Sequence, residues 1–151
     1  MWTSEPFSAE TVLSGRSRLR LNITSDQPDA DVFADLYEAL PDGSVIFLAH
    51  TQLRLRYRGG GVDGIPLTPG KSERIELPPF NFFARAIGKG SRIRLVIDNG
   101  PQFGWQRNSH TGGNLATEPA SAGRVGKLTI ATGPDSGSVL ELSRPDPAVV
   151  K

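Results

Sequence analysis

The sequence contains no cysteine. This absence excludes disulfide bonds, thiolate catalysis and zinc sites built on cysteine, and it fits a cytoplasmic protein, which is the location we predict. No run of about 18 apolar residues occurs, so no membrane-spanning helix is expected. The first ten residues, MWTSEPFSAE, also lack the basic and apolar regions of a secretory signal.

The sequence also lacks an excess of either positive or negative charge. Lys and Arg number 17 and Asp and Glu number 16, which gives a formal net charge of +1. Nucleic-acid binding requires a clustered positive excess, so we expect no nucleic-acid partner.

Metal and cofactor motifs are missing as well. Asp26, Asp29 and Asp31 lie close together, but the glycine and the closing glutamate of a calcium loop are absent. A solvated turn is the better interpretation of these aspartates. We predict no cofactor and no metal site.

What the chain does contain points to strands and turns. Its 151 residues fit one domain, and 17 glycines and 12 prolines are scattered along it. Alternating apolar and polar side chains are typical of half-buried strands, and they occur clearly in three segments: Arg16–Thr24, Thr51–Arg58 and Arg92–Ile97. Together these features predict an all-β protein.

Two segments are ambiguous between helix and strand. Val32–Leu40 has helical propensity, but the turn at Pro41-Asp42-Gly43 and the strand-like Ser44–His50 after it favour a strand over 31–39. A short helix near Phe82–Ile87 is also allowed by the pattern. The spacing of turns predicts a β-sandwich of about nine strands over residues 7–143, with a linker at 1–6 and a tail at 144–151.

The RLRYR segment carries three arginines at alternate positions: Arg54, Arg56 and Arg58. On one strand they would share a face, and two interpretations follow. The face is either solvated and paired with nearby Asp and Glu, or it docks acidic and polar groups of a partner domain, for which the planar guanidinium group is well suited.

The stretch Ser91–Gly113 begins as a strand and continues as a long loop rich in functional side chains. Its candidate residues for a substrate wall or domain interface are Phe103, Trp105, Arg107, Asn108 and His110. We predict no catalytic residue, because no G-x-S-x-G motif occurs and His50 and His110 are the only imidazole bases.

Several segments together resemble the C-terminal domain of one enzyme family. They are TSEPF (3–7), SDQPDADVFADLYEA (25–39), PDGS (41–44), RLRYR (54–58), PLTPG (66–70), GSRIRL (90–95) and RNSHTGG (107–113). The family is that of the Xaa-Pro dipeptidyl-peptidases and cocaine-esterase-like serine hydrolases, which includes the α-amino-acid ester hydrolases. Each motif is weak alone, and their shared order carries the resemblance. The DNGPQFGWQ segment (98–106) departs from the family pattern.

The resemblance implies both a fold and a role. Members combine an α/β-hydrolase domain that holds a Ser-His-Asp triad, a helical cap and a C-terminal jelly-roll β-sandwich of galactose-binding-like type. This chain resembles only the last, so the implied role is non-catalytic: packing on the hydrolase domain, helping to wall its substrate pocket, and mediating self-association. The alternative is a stand-alone carbohydrate-binding module, in which Phe103, Trp105 and Tyr57 stack on sugars.

Overall fold

A computed structural model describes residues 1–100 and 104–145. Within these ranges the chain is almost entirely antiparallel β-structure, as predicted, with ten strands. Their bounds are β1 Trp2–Thr3, β2 Thr11–Gly15, β3 Arg18–Ser25, β4 Asp31–Ala39, β5 Val45–Arg54, β6 Ser72–Glu76, β7 Phe83–Ile87, β8 Arg92–Asp98, β9 Leu128–Ile130 and β10 Val139–Glu141.

The first sheet has the strand order β1-β8-β4-β5. Its central strand β4 is buried over almost its whole length, because one face meets the core and a loop covers part of the other. This double burial explains the helix-like apolar content of Val32–Leu40, since a strand covered on both faces loses its alternation. The strand predicted over 31–39 is confirmed.

A β-bulge interrupts the pairing of β4 with β5. Leu36 pairs with Ala49 but Tyr37 pairs with Phe47, so Leu48 is an extra residue on β5. A bulge exchanges the faces on which the following side chains lie. Val45 and Phe47 therefore lie on the outer face of the sheet, whereas Leu48 packs against the core.

In the second sheet β3 is central. It pairs with β6 along one edge and with β9 and then β10 along the other. The alternation predicted for this strand is confirmed, because Leu19, Leu21 and Ile23 are buried while Arg18 and Arg20 face outward and pair with Glu76 and Glu141.

The core lies between the two sheets, as a β-sandwich requires. It joins side chains of β3 and β6 to those of β4 and β8, with Phe80 as the largest fully buried side chain. A two-stranded ribbon of β2 and β7 contributes Leu13, Phe83 and Ile87 to this core.

One sequence prediction fails here, and the start of the chain forms an additional short strand. The short helix considered near Phe82–Ile87 is wrong, because Phe83–Ile87 is a strand whose pairing with β2 leaves it fully extended. Trp2 and Thr3, assigned to the linker, pair with Leu95 and Arg94 of β8. Most of the tail predicted over 144–151 lies outside the described residues.

Candidate functional site

Arg54 ends β5 directly opposite Asp31, the first residue of β4. Its Nε lies 2.8 Å from Asp31 Oδ1 and its Nη2 lies 2.9 Å from Oδ2, which is a two-point ion pair. Nη2 also donates to the carbonyl of Gln106 at 2.8 Å. The hydrogen bond to the Asp31 carboxylate raises the pKa of Arg54 above its ordinary value, so this guanidinium group stays charged at any physiological pH.

Arg56 repeats this arrangement one step further along the chain. Its Nε lies 2.6 Å from Oδ2 of Asp29, a carboxylate with no exposed surface. Its Nη1 donates to the carbonyl of Gly113 at 2.8 Å. Burying such a pair is tolerated because both oxygens of Asp29 are satisfied: Oδ2 by Arg56 Nε, and Oδ1 by the backbone N–H groups of Ala30 and Arg56.

Arg58 forms the third pair. Its Nε lies 2.9 Å from Glu73 Oε2, and its Nη1 donates to the carbonyl of Ile65 at 2.6 Å. The three arginines thus share one pattern: each pairs with a carboxylate of this chain and also donates to a loop carbonyl. We call these three residues the arginine clamp.

The single strand face predicted for the clamp is wrong. β5 ends at Arg54, and Leu55–Tyr57 form a 3₁₀-helix. The strand stops there because its partner β4 begins at Asp31, opposite Arg54, which leaves Leu55 with no residue of β4 to pair with. The guanidinium groups are half-buried and each pairs with a carboxylate of this chain, in agreement with the interpretation that pairs them with nearby Asp and Glu.

The aspartates considered for calcium are the partners of this clamp. Asp29 and Asp31 are buried, so the solvated turn predicted for them is wrong. Their negative charge is balanced by Arg56 and Arg54, which explains how two carboxylates tolerate burial so close together in the sequence.

The clamp and the loop that follows β8 are joined through Asn108. Its Nδ2 donates to Asp31 Oδ1 at 2.8 Å, and its Oδ1 accepts from the backbone N–H of His110 at 2.8 Å. His110 has a positive φ of 61° and places Nδ1 3.0 Å from the carbonyl of Asp29. Both side chains therefore fix the course of the loop.

A carboxylate fixes the next part of the loop in the same way. Glu118 accepts hydrogen bonds from the hydroxyls of Thr111, at 2.5 Å, and Ser109, at 2.7 Å. These bonds, with Thr111 contributing most, lower the pKa of Glu118. The loop is consequently tied down at both Asn108 and Glu118.

Above the clamp lies a cleft of about 350 Å³. Its aromatic lining consists of Trp105, Tyr57 and Phe33. The indole of Trp105 meets the Phe33 ring edge-on at a centroid distance of 6.4 Å, yet 52% of its surface remains exposed. Arg54, Gln52 and Gln106 supply polar groups to the same cleft.

His50 lies beside this cleft, stacked on Phe33 at 6.3 Å. Its Nδ1 is 2.5 Å from Asp35 Oδ1, so Nδ1 carries the proton that the carboxylate accepts. Its Nε2 lies 2.7 Å from Gln52 Oε1. Among the described residues neither imidazole hydrogen-bonds to a serine hydroxyl, which is the contact that a nucleophilic triad needs.

One protein-family model matches almost the whole chain. It is the X-Pro dipeptidyl-peptidase C-terminal non-catalytic domain, and it matches residues 1–141. The chain belongs to this family. The predicted resemblance is therefore confirmed.

A curated relative is about four times as long as this chain. The cocaine esterase of Rhodococcus sp. (strain MB1 Bresler) is 27% identical over 144 residues, which are 93% of this chain and 24% of the esterase. The chain thus spans about a quarter of the length of that relative.

Solved structures share the fold of this C-terminal domain. An aminopeptidase from a marine sediment Thaumarchaeota archaeon superposes with a TM-score of 0.85 at 22% identity, over 93% of this chain and 24% of its own. An α-amino acid ester hydrolase gives 0.86 at 16% identity, with the same coverage. A CocE/NonD family hydrolase from Staphylococcus aureus gives 0.70 at 18% identity and covers 93% of this chain and 29% of its own.

The C-terminal domain brings some of the predicted site residues together and separates others. Trp105 and Arg54 line one cleft, whereas Arg107 is exposed beside a different cavity of about 260 Å³. Phe103 lies outside the described residues. Sequence reasoning did not assign Phe33 or Gln52 to the cleft, nor His50 to its neighbourhood.

The missed residues have a signal in the sequence. Phe33 and Gln52 pair across β4 and β5, and so do Asp31 and Arg54. The spacing D-x-D at 29–31 and R-x-R at 54–56, on the two arms of one hairpin, would have identified the ion pairs and the register that places Phe33 beside Gln52.

In the described ranges no helix is both long enough and apolar enough to cross a membrane.

Proposed function

We propose that this chain is the accessory domain of a serine hydrolase, that it packs on an α/β-hydrolase catalytic domain, and that the Trp105 cleft forms part of the substrate-pocket wall. Membership of a non-catalytic C-terminal domain family supports the accessory role. A relative about four times the length of this chain, itself an esterase, supports the presence of a catalytic partner.

One observation supports the assignment of the wall: the indole of Trp105 is exposed, and its neighbours hold it in a fixed position. Trp105 packs on Phe33, and its neighbour Gln106 is held by Arg54, whose charge is balanced by Asp31. Exposed aromatic side chains that are held in place are typical of surfaces that bind a ligand or another domain. The clamp therefore acts by positioning, and Trp105 with Tyr57 supplies the contact surface.

Among the described residues the site offers aromatic and hydrogen-bonding groups for binding, and neither imidazole contacts a serine hydroxyl. His50 and His110, the chain's two histidines, make hydrogen bonds to Asp35, Gln52 and the carbonyl of Asp29. The isolated chain should therefore hydrolyse neither esters nor dipeptidyl anilides. Turnover by the isolated chain that disappears on substituting one of its serines would contradict this proposal.

The test of the wall uses the hydrolase polypeptide that carries this chain. Trp105→Ala removes the exposed indole and should raise KM about fivefold or more with little change in kcat, since the wall binds substrate without touching the reacting bond. Val62→Ala, at an exposed loop position away from the cleft, is the matched control and should leave KM unchanged. Equal KM values for both variants would exclude Trp105 from the wall.

The cleft also supports a second candidate, carbohydrate binding. Trp105 and Tyr57 are both exposed at its rim, and Gln52 and Arg54 offer hydrogen-bonding groups, which is the combination that sugar sites use. Titration of tryptophan fluorescence with mono- and oligosaccharides would give a saturable change, lost in Trp105→Ala. No change with any sugar favours the accessory domain.

The proposal has three further parts. The sandwich is a galactose-binding-like jelly roll, the protein is cytoplasmic, and it self-associates. The two stacked antiparallel sheets support the first, and the cysteine-free sequence is compatible with the second. Sedimentation of the purified protein over a range of concentrations tests the third.

A further inference from the structure

The outer faces of the two main sheets differ in chemical character. On the second sheet, outward side chains of β3 form ion pairs with its neighbours: Arg20 Nη2 lies 2.6 Å from Glu141, and Arg18 Nη1 lies 3.7 Å from Glu76. Such a face is suited to water. On the first sheet, the outward side chains of β4 and β5 are largely aromatic and apolar, and we call this surface the outer face: Phe33, Asp35, Tyr37, Val45, Phe47, His50 and Gln52.

The β-bulge at Leu48 creates the apolar end of this outer face. Without the extra residue, strict alternation from the outward Gln52 and His50 would place Leu48 and Ile46 outside and turn Phe47 and Val45 toward the core. With it, Phe47 is 55% exposed and Val45 is 47% exposed. Bulges often re-aim side chains at functional positions, and here the bulge moves a phenylalanine into solvent.

The exposed phenylalanine is held in a defined position. The ring of Phe47 meets the ring of Tyr37 edge-on at a centroid distance of 5.6 Å. Tyr37 is fixed in turn beside Asp35, the carboxylate that also holds His50. Burial and the neighbouring Asp35 raise the pKa of Tyr37, so its hydroxyl is neutral at physiological pH. The β4–β5 part of the outer face is thus an ordered, largely aromatic surface that continues from Phe47 to the Trp105 cleft, and Arg94 of β8 lies beside it, opposite Tyr37.

We propose that the outer face of the first sheet is the surface that docks on the catalytic domain, with Phe47 and Val45 at its centre of contact. This inference rests on the proposed function and adds to it the choice of face. It makes the substrate wall and the docking surface one continuous strip along the β4–β5 ladder, because Phe33 touches both His50 and Trp105.

A catalytic domain in the same polypeptide suits this surface better than a second copy of the chain. An area of roughly 14 by 30 Å, estimated from the three long strands of about nine residues each, buries ~800 Å² in total, which is below the ~1,200–2,000 Å² typical of stable complexes. A covalently attached partner is present at millimolar effective concentration and needs less area. The relatives of which this chain spans about a quarter supply such attached domains.

The absence of cysteine makes the face directly measurable. Val45→Cys places a thiol on the outer face and leaves Phe47 in place, and Val139→Cys places one on β10 of the second sheet at a position that is 40% exposed. Maleimide labelling of each position is followed by peptide mass spectrometry in the isolated chain and in the hydrolase that carries it. We expect position 45 to react about tenfold more slowly in the hydrolase, with position 139 equally fast in both.

Each other outcome overturns a distinct statement. Equal labelling of position 45 in both proteins, while deletion of the domain still raises KM, places the docking surface elsewhere and leaves the accessory role intact. Protection of position 45 in the isolated chain that increases with protein concentration identifies a second copy as the occupant and contradicts the inference. If deletion of the domain changes neither KM nor stability of the hydrolase, the proposed function itself fails.

A Phe47→Ser variant, compared with Phe82→Ser at an exposed position outside the face, should weaken the protection of position 45.

Discussion

Asp31 and Arg54 occupy the same register position at the open end of the β4–β5 hairpin, and each of the two carboxylate oxygens receives one guanidinium N–H. The same register extended two residues beyond the strands sets Asp29 opposite Arg56. The hairpin therefore ends in two successive ion pairs, and the loop carrying Trp105 is hydrogen-bonded to them.

Substitution of Arg54 by methionine should destabilise the protein strongly. Met keeps most of the side-chain length but leaves Asp31 buried without its cation, a change that costs about 3–5 kcal/mol. Urea unfolding followed by circular dichroism measures it. The control is Arg20→Met, at an exposed pair with Glu141, for which a loss of about 1 kcal/mol or less is expected. Equal losses for the two variants would contradict the role given to the Arg54 pair.

Exchange of Asn108 for aspartate tests the hydrogen bond that connects the loop after β8 to Asp31 of the hairpin. Aspartate has the same shape, but its carboxylate cannot donate to Asp31 and repels it, so we expect a loss of about 1–3 kcal/mol. In a Trp2→Phe background, which leaves Trp105 as the only indole, acrylamide quenching of fluorescence should increase as the loop loosens. Unchanged quenching would show that Asn108 does not hold Trp105.

Phe80 and Phe82 form a matched pair for the core. Phe80 has no exposed surface whereas Phe82 is mostly exposed, although only one residue separates them. Phe80→Ala should cost about 3–5 kcal/mol through lost burial and a cavity, and Phe82→Ala about 0.5 kcal/mol or less. Thermal and urea denaturation of both variants decides the prediction, which fails if the two losses are similar.

The lowered pKa of Glu38 predicts how the stability of the protein depends on pH. Its burial alone would raise the pKa, but hydrogen bonds from Arg85, Ser91 and the Gly88 amide outweigh this effect and lower it. A carboxyl group whose pKa is lowered on folding stabilises the protein above its unfolded pKa of about 4.3, and that stabilisation is lost as the pH falls through the folded pKa. The free energy of unfolding should therefore decline below about pH 5 less steeply in Glu38→Gln than in the parent protein. Glu10→Gln, at an exposed position, should follow the parent, and identical slopes for Glu38→Gln and the parent would refute the prediction.

The strands of the half-buried type were predictable because their alternation reports burial directly. β3 and β8 each have one face in the core and one outside, and their apolar residues sit at every second position. The end of β5 was not predictable in this way, since the alternation of leucine and arginine continues through the 3₁₀-helix after the strand has run out of partner. Alternation records which side chains are apolar and contains no information on where pairing stops.

The candidate site was predictable only in part, for a related reason. The sequence identified Trp105 and Arg54 as candidate interface residues, one in a loop and one in a strand. It did not identify their partners, because these belong to distant segments of the chain. Asn108 meets Asp31, and Arg56 meets Gly113. Such contacts depend on how the loop after β8 folds back on the hairpin, which no local pattern encodes.

The arginine clamp has a consequence for how the domain can change over evolutionary time. Arg54, Arg56 and Arg58 hold their loops through the carbonyl groups of Gln106, Gly113 and Ile65, and every amino acid has a carbonyl group. The side chain at position 106 can therefore mutate while the fastening survives, whereas a side chain at Gly113 would collide with Glu118. A lineage could replace Gln106 or its neighbours to suit a new substrate without first finding a new way to anchor the loop. The arginine–carboxylate pairs must therefore stay constant, while loop side chains such as that of Gln106 are free to vary.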